Sequence, residues 1–158
     1  MCGIGGVFAR RPENPGTLRQ RGRSICEALS HRGPDDHGSW IDENSGLVLA
    51  HTRLSIIDLS QHGHQPMISR DGRYVISFNG EIYNHHDLAR GLNREGVQLS
   101  GHSDTESALE LIAAVGLEPA VRRFDGMFAF ALWDRRERCL HLVRDRLGIK
   151  PLYYGNFS

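Results

Sequence analysis

Apolar positions along the chain fall into short blocks separated by polar, glycine-containing breaks, and the spacing inside each block predicts an element. Residues 3–9 read as a glycine-rich buried strand. Asn14-Pro15-Gly16 is a turn, after which Leu18, Gly22, Ile25 and Leu29 recur at helical spacing with Cys26 beside their face. Residues 31–36, HRGPDD, are a polar loop of turn formers. Residues 47–58, LVLAHTRLSIID, have strand composition, and residues 74–78 form a second clear strand. Asn79-Gly80, set between YVISF and EIYN, is a strong hairpin signal. Residues 85–94 make a short helix. Ser103 followed by Glu106 is a capping-box pattern opening a helix with the stripe Ala108, Leu111, Ile112 and Val115, which ends near Gly116. Residues 117–124 can add another short helix.

Residues 127–133, MFAFALW, are apolar at both alternating sets of positions, and 139–143 follow a charged turn, so the two pair as an antiparallel hairpin. Antiparallel sheets usually keep one wet face. Apolar residues on both faces therefore predict a sheet covered on both sides, by helices on one and a second sheet on the other. The interspersed strands and helices give a layered α+β domain.

Composition narrows the function classes. The 158 residues suit one domain with a sizeable core, 39% apolar and 24% charged. Nineteen basic residues balance nineteen acidic ones, which argues against the clustered basic excess of a nucleic-acid footprint. Lys150 is the only lysine. No apolar run has the length of a membrane span, and the first apolar stretch meets Arg10-Arg11-Pro12, unlike a secretory signal. Three cysteines, Cys2, Cys26 and Cys139, form no disulfide framework and no CxxC zinc pair, so a reducing cytoplasm is expected.

The candidate chemistry begins at MCGIGGVF. With Met1 removed, Cys2 would be both first residue and nucleophile, its α-amine serving as the base a thiol needs. That amine has a typical pKa of about 8 and stands within direct or one-water reach of the sulfur. Cys2 could equally be a small residue with no role. Asn79 and Gly80 could offer two N–H donors to an oxyanion, or serve only their own turn. Arg53 interrupts an apolar run and could hold a carboxylate bidentately, or point at water from an edge strand. Asp104 could bind an ammonium or favour its helix dipole, and Glu81 could share the first task or be a hairpin-flank charge. His62-Gly63-His64 and His85-His86-Asp87 match no metalloenzyme spacing, so no metal site is expected. A GxGxxG fingerprint and a P-loop are absent.

Taken in order, MCGIGGVF, HRGPDD, LAHTRLSIID, FNGEIYNH, SDTE, FDGMFAFALWD and RDRLGIKPLYY resemble the glutaminase domain of glutamine-hydrolysing asparagine synthetases. These are class II amidotransferases of the N-terminal-nucleophile type, and the resemblance covers essentially the whole chain. It implies the four-layer αββα sandwich of two mainly antiparallel sheets over residues 1–158, with its C-terminal part missing. It also implies Cys2 attacking the side-chain amide of L-glutamine, with Asn79 and Gly80 as oxyanion hole. Arg53 would bind the α-carboxylate, the stretch Leu54, Ser55, Ile56 and Ile57 would line the pocket, and Glu81 with Asp104 would take the α-ammonium.

No cofactor is expected in this domain; ATP and Mg would belong to a synthetase domain that should follow, in the same chain or as a partner. Neither nucleic acid nor membrane is an expected partner, and a homo-oligomer is left open. Two other readings stand beside the enzyme: a catalytically silent module that docks on or stabilises such a synthetase, and a metal-dependent amidohydrolase built on the histidine clusters.

Overall fold

The computed structural model describes residues 2–9, 13–55 and 61–156. Among these residues seven strands and four α-helices follow in the order β1 (Gly3–Phe8), α1 (Pro15–Leu29), β2 (Asp36–Asp42), β3 (Leu47–Arg53), β4 (Met67–Ile68), β5 (Tyr74–Ile82), α2 (His85–Arg94), α3 (Asp104–Val115), α4 (Leu117–Arg122), β6 (Gly126–Asp134) and β7 (Cys139–Arg144). One sheet has the order β1-β3-β2 and the other β4-β5-β6-β7, and every pairing is antiparallel.

Strand periodicity sorts the side chains into layers. Leu47 and Leu49 of β3 meet Val75 and Trp133 between the sheets, with Trp40, Ala131 and Leu140 around them. The alternate β3 residues face α1: Val48 lies against Gly22, and Thr52 Oγ1 donates to Leu29 O at 3.0 Å. On the far side, Phe78, Phe128, Phe130 and Leu132 pack with Leu88, Leu92, Leu109 and Ile112 of α2 and α3. The result is four layers, helix, sheet, sheet, helices, which matches the expected αββα sandwich. MFAFALW is apolar twice over because its phenylalanines feed the helical layer while Ala131 and Trp133 feed the inter-sheet layer.

Caps explain two helix starts. Asn14 accepts from Gly16 N at 2.7 Å, so the predicted turn is the cap of α1. Ser103 accepts from Glu106 N at 3.1 Å, but the Glu106 carboxylate takes the Ser100 and Gly101 amides, leaving the capping box half made.

The hairpin expected at Asn79-Gly80 does not occur. β5 runs through both residues, with Asn79 opposite Ala129 and Gly80 opposite Phe128. The glycine serves close approach: a Cβ there would lie 2.6 Å from Phe128 Cα and nearer still to Met127 O. The strand expected over 47–58 ends at Arg53. β2 and the two-residue β4 were not foreseen.

Candidate active site

The two sheets converge on one cavity, and β3 delivers its first wall. Gly3 pairs with Thr52, which places Cys2 beside the end of β3. Leu54 N–H donates to Cys2 Sγ at 3.4 Å, the sulfur lies 3.8 Å from Leu54 O, and Arg32 Nε donates to Cys2 O at 3.3 Å. Continuing the inward face of β3 past Leu47 and Leu49 brings His51 and then Arg53 between the sheets. Arg53 is buried, and its guanidinium fills the space where a Cβ on Gly63 would stand.

HRGPDD turns out to be scaffold. Pro34 bridges to Arg53, Asp35 N–H donates to Arg53 O at 3.0 Å, and Asp35 Oδ2 accepts from Ser55 N at 2.8 Å. These bonds hold the chain as it leaves β3.

The second wall is the edge of β5. Tyr83 N–H donates to Asp125 O and Arg135 N–H to Arg73 O, so odd-numbered β5 amides face β6 and even-numbered ones face the opposite edge. β4 covers that edge only as far as Ile76. Beyond it, Phe78 N–H donates to Gln65 Oε1 at 2.7 Å and Ile82 N–H to Asp104 Oδ2 at 2.9 Å. Gly80 N–H lies between them on the same edge, and no acceptor meets it among the described residues. Asn79 shares the face of Ser77, which donates to Ala50 O at 3.0 Å across the sheets, so its carboxamide points toward the β1–β3 side. Among the described residues that carboxamide makes no hydrogen bond.

Charge completes the cavity. Asp104 begins α3 and is buried, its Oδ1 accepting from Thr105 N at 2.8 Å. Burial pushes its carboxyl above the usual range, against the pull of the two amide donors. Glu81 lies two residues along β5 from Asn79, also at the cavity.

The cavity, of about 160 Å³, is lined by Cys2, Arg53, Leu54, Asn79, Gly80, Glu81 and Asp104, all seven expected from sequence. Ser55 does not line it; its amide is engaged by Asp35. Ile56 and Ile57 lie outside the described residues. Sequence reasoning missed Gln65, Thr105 and Lys150, which also line the cavity. Lys150 arrives through a loop wound on Asp145, whose carboxylate accepts from Phe128, Ile149 and Lys150 N–H. Burial raises that carboxyl, but these amides outweigh it and hold it below the usual range. The signal available was that Lys150, the lone lysine, sits inside RDRLGIK.

Among the described residues no three histidine, cysteine or carboxylate side chains gather as metal ligands. His64 pairs with Asp36 at 2.7 Å, and the His85 and His86 rings touch at a tilt, their centroids 3.9 Å apart. No described helix is long and apolar enough to cross a membrane.

Comparison with known proteins agrees with this geometry. The family model described as glutamine amidotransferase domain matches residues 1–158. The chain belongs to the glutamine amidotransferase domain family. The chain is 39% identical to "Asparagine synthetase [glutamine-hydrolyzing] 1" of Bacillus subtilis, over 100% of this chain and 24% of that protein. Identity to "Asparagine synthetase B [glutamine-hydrolyzing]" of Escherichia coli is likewise 39%, over 98% of this chain and 27% of the relative. A protein named as an amidase in Gibberella zeae is 37% identical over 98% of this chain and 24% of its own length. The amidotransferase chain thus spans about a quarter of the length of these relatives.

Proposed function

We propose that this amidotransferase domain hydrolyses L-glutamine to glutamate and ammonia through a thioester on Cys2. The supporting observation is that one cavity gathers a thiol, an unclaimed backbone N–H, an open carboxamide, a guanidinium and two carboxylates. Glutamine is a zwitterion with a neutral amide at its far end. Arg53 takes the α-carboxylate, Asp104 and Glu81 take the α-ammonium, and the amide lies against the sulfur. Simple amides lack both charges and forgo these contacts, which is the basis of discrimination.

Removal of Met1 frees the Cys2 amine, which accepts the thiol proton. The sulfur attacks the amide carbon, and the negative oxygen is held by Asn79 Nδ2–H and Gly80 N–H. The C–N bond breaks, and the proton carried by the amine leaves with nitrogen as ammonia. Water then gives a proton to the same amine, attacks the thioester carbon and restores the thiol as glutamate departs. Atoms and protons balance with water alone, so this half-reaction calls on neither ATP nor Mg. Those belong to an acid-activating synthetase domain that receives the ammonia. The relatives named as asparagine synthetases favour aspartate as acceptor, and the relative named as an amidase leaves room for other carboxylates. A reducing cytoplasm keeps the thiol available.

The test is glutamate release by the wild type and Cys2→Ala, with intact mass to establish whether Met1 is gone. Activity that needs Cys2 and a free Cys2 amine supports the proposal. Activity surviving Cys2→Ala, or full activity with Met1 retained, overturns it.

A further inference from the structure

We infer that Gln65 is a positioning residue that sets the direction of the Gly80 amide; the inference rests on the glutaminase reading, in which that amide binds the oxyanion. Three successive outward amides of β5 lie beyond the end of β4, at Phe78, Gly80 and Ile82. The outer two are tied to side chains, Phe78 N–H to Gln65 Oε1 at 2.7 Å and Ile82 N–H to Asp104 Oδ2 at 2.9 Å. The middle one is left open to the cavity. Residues 78 and 82 are about 13 Å apart along an extended strand, so Gly80 sits at the midpoint of a segment pinned at both ends.

Two features make the pinning consequential. Glycine is the residue freest to rotate about φ and ψ, so nothing in Gly80 itself fixes where its N–H points. On the β6 side the ladder holds the odd-numbered residues, while the edge facing the cavity has no neighbouring strand after Ile76 among the described residues. Gln65 takes the place of that strand at Phe78.

The residue type fits the task. Gln65 is buried, and its amide nitrogen donates to Thr105 Oγ1 at 3.4 Å. Thr105 follows Asp104 in α3, so the two clamps on β5 are joined to each other through the first turn of that helix. An amide side chain suits the place, one end accepting from Phe78 N–H, the bond that orients β5, and the other donating to Thr105. Displacement of β5 relative to α3 would therefore move the oxyanion donor and the ammonium acceptor together.

The experiment compares wild type, Gln65→Met and Gln65→Glu in the full 158-residue chain. Methionine keeps an unbranched side chain of similar size but loses both bonds; glutamate keeps the acceptor for Phe78 N–H. Losing an oxyanion donor outright costs about 100- to 1,000-fold in kcat, so loosening one predicts a loss of about 10- to 100-fold in Gln65→Met. KM for glutamine should change less than about threefold, because a donor used only in the transition state leaves ground-state binding alone. Gln65→Glu should recover most of kcat. In amide NMR spectra, the Gly80 resonance should broaden or move in Gln65→Met and return in Gln65→Glu.

Unchanged kcat in folded Gln65→Met, a rise confined to KM, or an unmoved Gly80 resonance overturns the inference. The Gly80 resonance reads positioning without turnover. Failure of the glutaminase reading looks different: wild type with no glutamate release and no capture of a glutamine-like electrophile at Cys2, whatever the Gly80 resonance does.

Discussion

His51 should make the protein acid-sensitive in a way that one substitution removes. It is 1% exposed on the inter-sheet face of β3, and its Nε2–H donates to Phe78 O at 3.0 Å. That bond leaves Nδ1 as a bare lone pair, and no partner reaches it among the described residues. Protonation would put a buried N–H where nothing accepts it, and would add a cation two residues from Arg53. Burial, followed by smaller effects of Arg53 and His64, lowers the pKa to about 4, although the Phe78 bond and Asp36 oppose the shift. Between that value and about 6.5 the unfolded chain holds a proton that the folded one refuses, so stability falls as pH falls. At about 1.4 kcal/mol per pH unit the whole gap amounts to about 3 kcal/mol, of which about 2 is lost between pH 7 and pH 5. Asp104 and Glu110, whose carboxyls burial raises, titrate with the opposite sign, so a variant must isolate His51. His51→Gln keeps an N–H donor for Phe78 O and cannot protonate. Urea unfolding at pH 7 and pH 5 should show the stability difference between wild type and variant moving by about 2 kcal/mol in the variant's favour as pH drops. Parallel pH dependences would refute the reasoning.

Three further outcomes follow from contacts around the cavity. Gly80→Ala should lose at least about 1–3 kcal/mol in urea unfolding, because its Cβ would overlap the β6 backbone, and near-native stability would mean β5 and β6 are further apart. Asp104→Asn leaves one acceptor where the carboxylate serves both Ile82 and Thr105 N–H, so about 1–3 kcal/mol of stability should be lost at pH 7 while KM for glutamine rises about tenfold or more in the folded variant; unchanged KM would remove Asp104 from ammonium binding. Asp35→Ala deletes the acceptor of Ser55 N–H and should cost about 1 kcal/mol together with a higher KM, as the chain leaving β3 loosens around Arg53; a change in stability without KM would confine HRGPDD to folding.

Several strong local signals read correctly. Helical spacing marked α1, Ser103 marked the start of α3, and the doubly apolar MFAFALW implied a sheet covered on both faces. Asn79-Gly80 misled because the same dipeptide suits a tight turn and a strand pressed against another backbone. Only the pairing with β6, far along the chain, separates the two. β2 went unseen because DHGSWID is largely polar and half-exposed, with Trp40 alone supplying a large inward side chain. The chemically distinctive residues, Cys2, Arg53, Asn79, Gly80, Glu81 and Asp104, were legible because each carries a charge, a thiol or a donor in a recognisable motif. Gln65 and Lys150 were not, since loops bring them to the cavity and no periodicity announces them. HRGPDD was visible as a motif, but its work in holding Arg53 and Ser55 depends on a bridge between distant segments.

The central claim is a covalent intermediate on the sulfur of Cys2, and it can be caught directly. Protein mixed with L-glutamine, quenched in acid within a turnover and digested, should yield an N-terminal peptide without Met1 that carries one glutamyl group on Cys2. The same peptide unmodified while glutamate accumulates, or a glutamyl group on any other residue, would contradict the account.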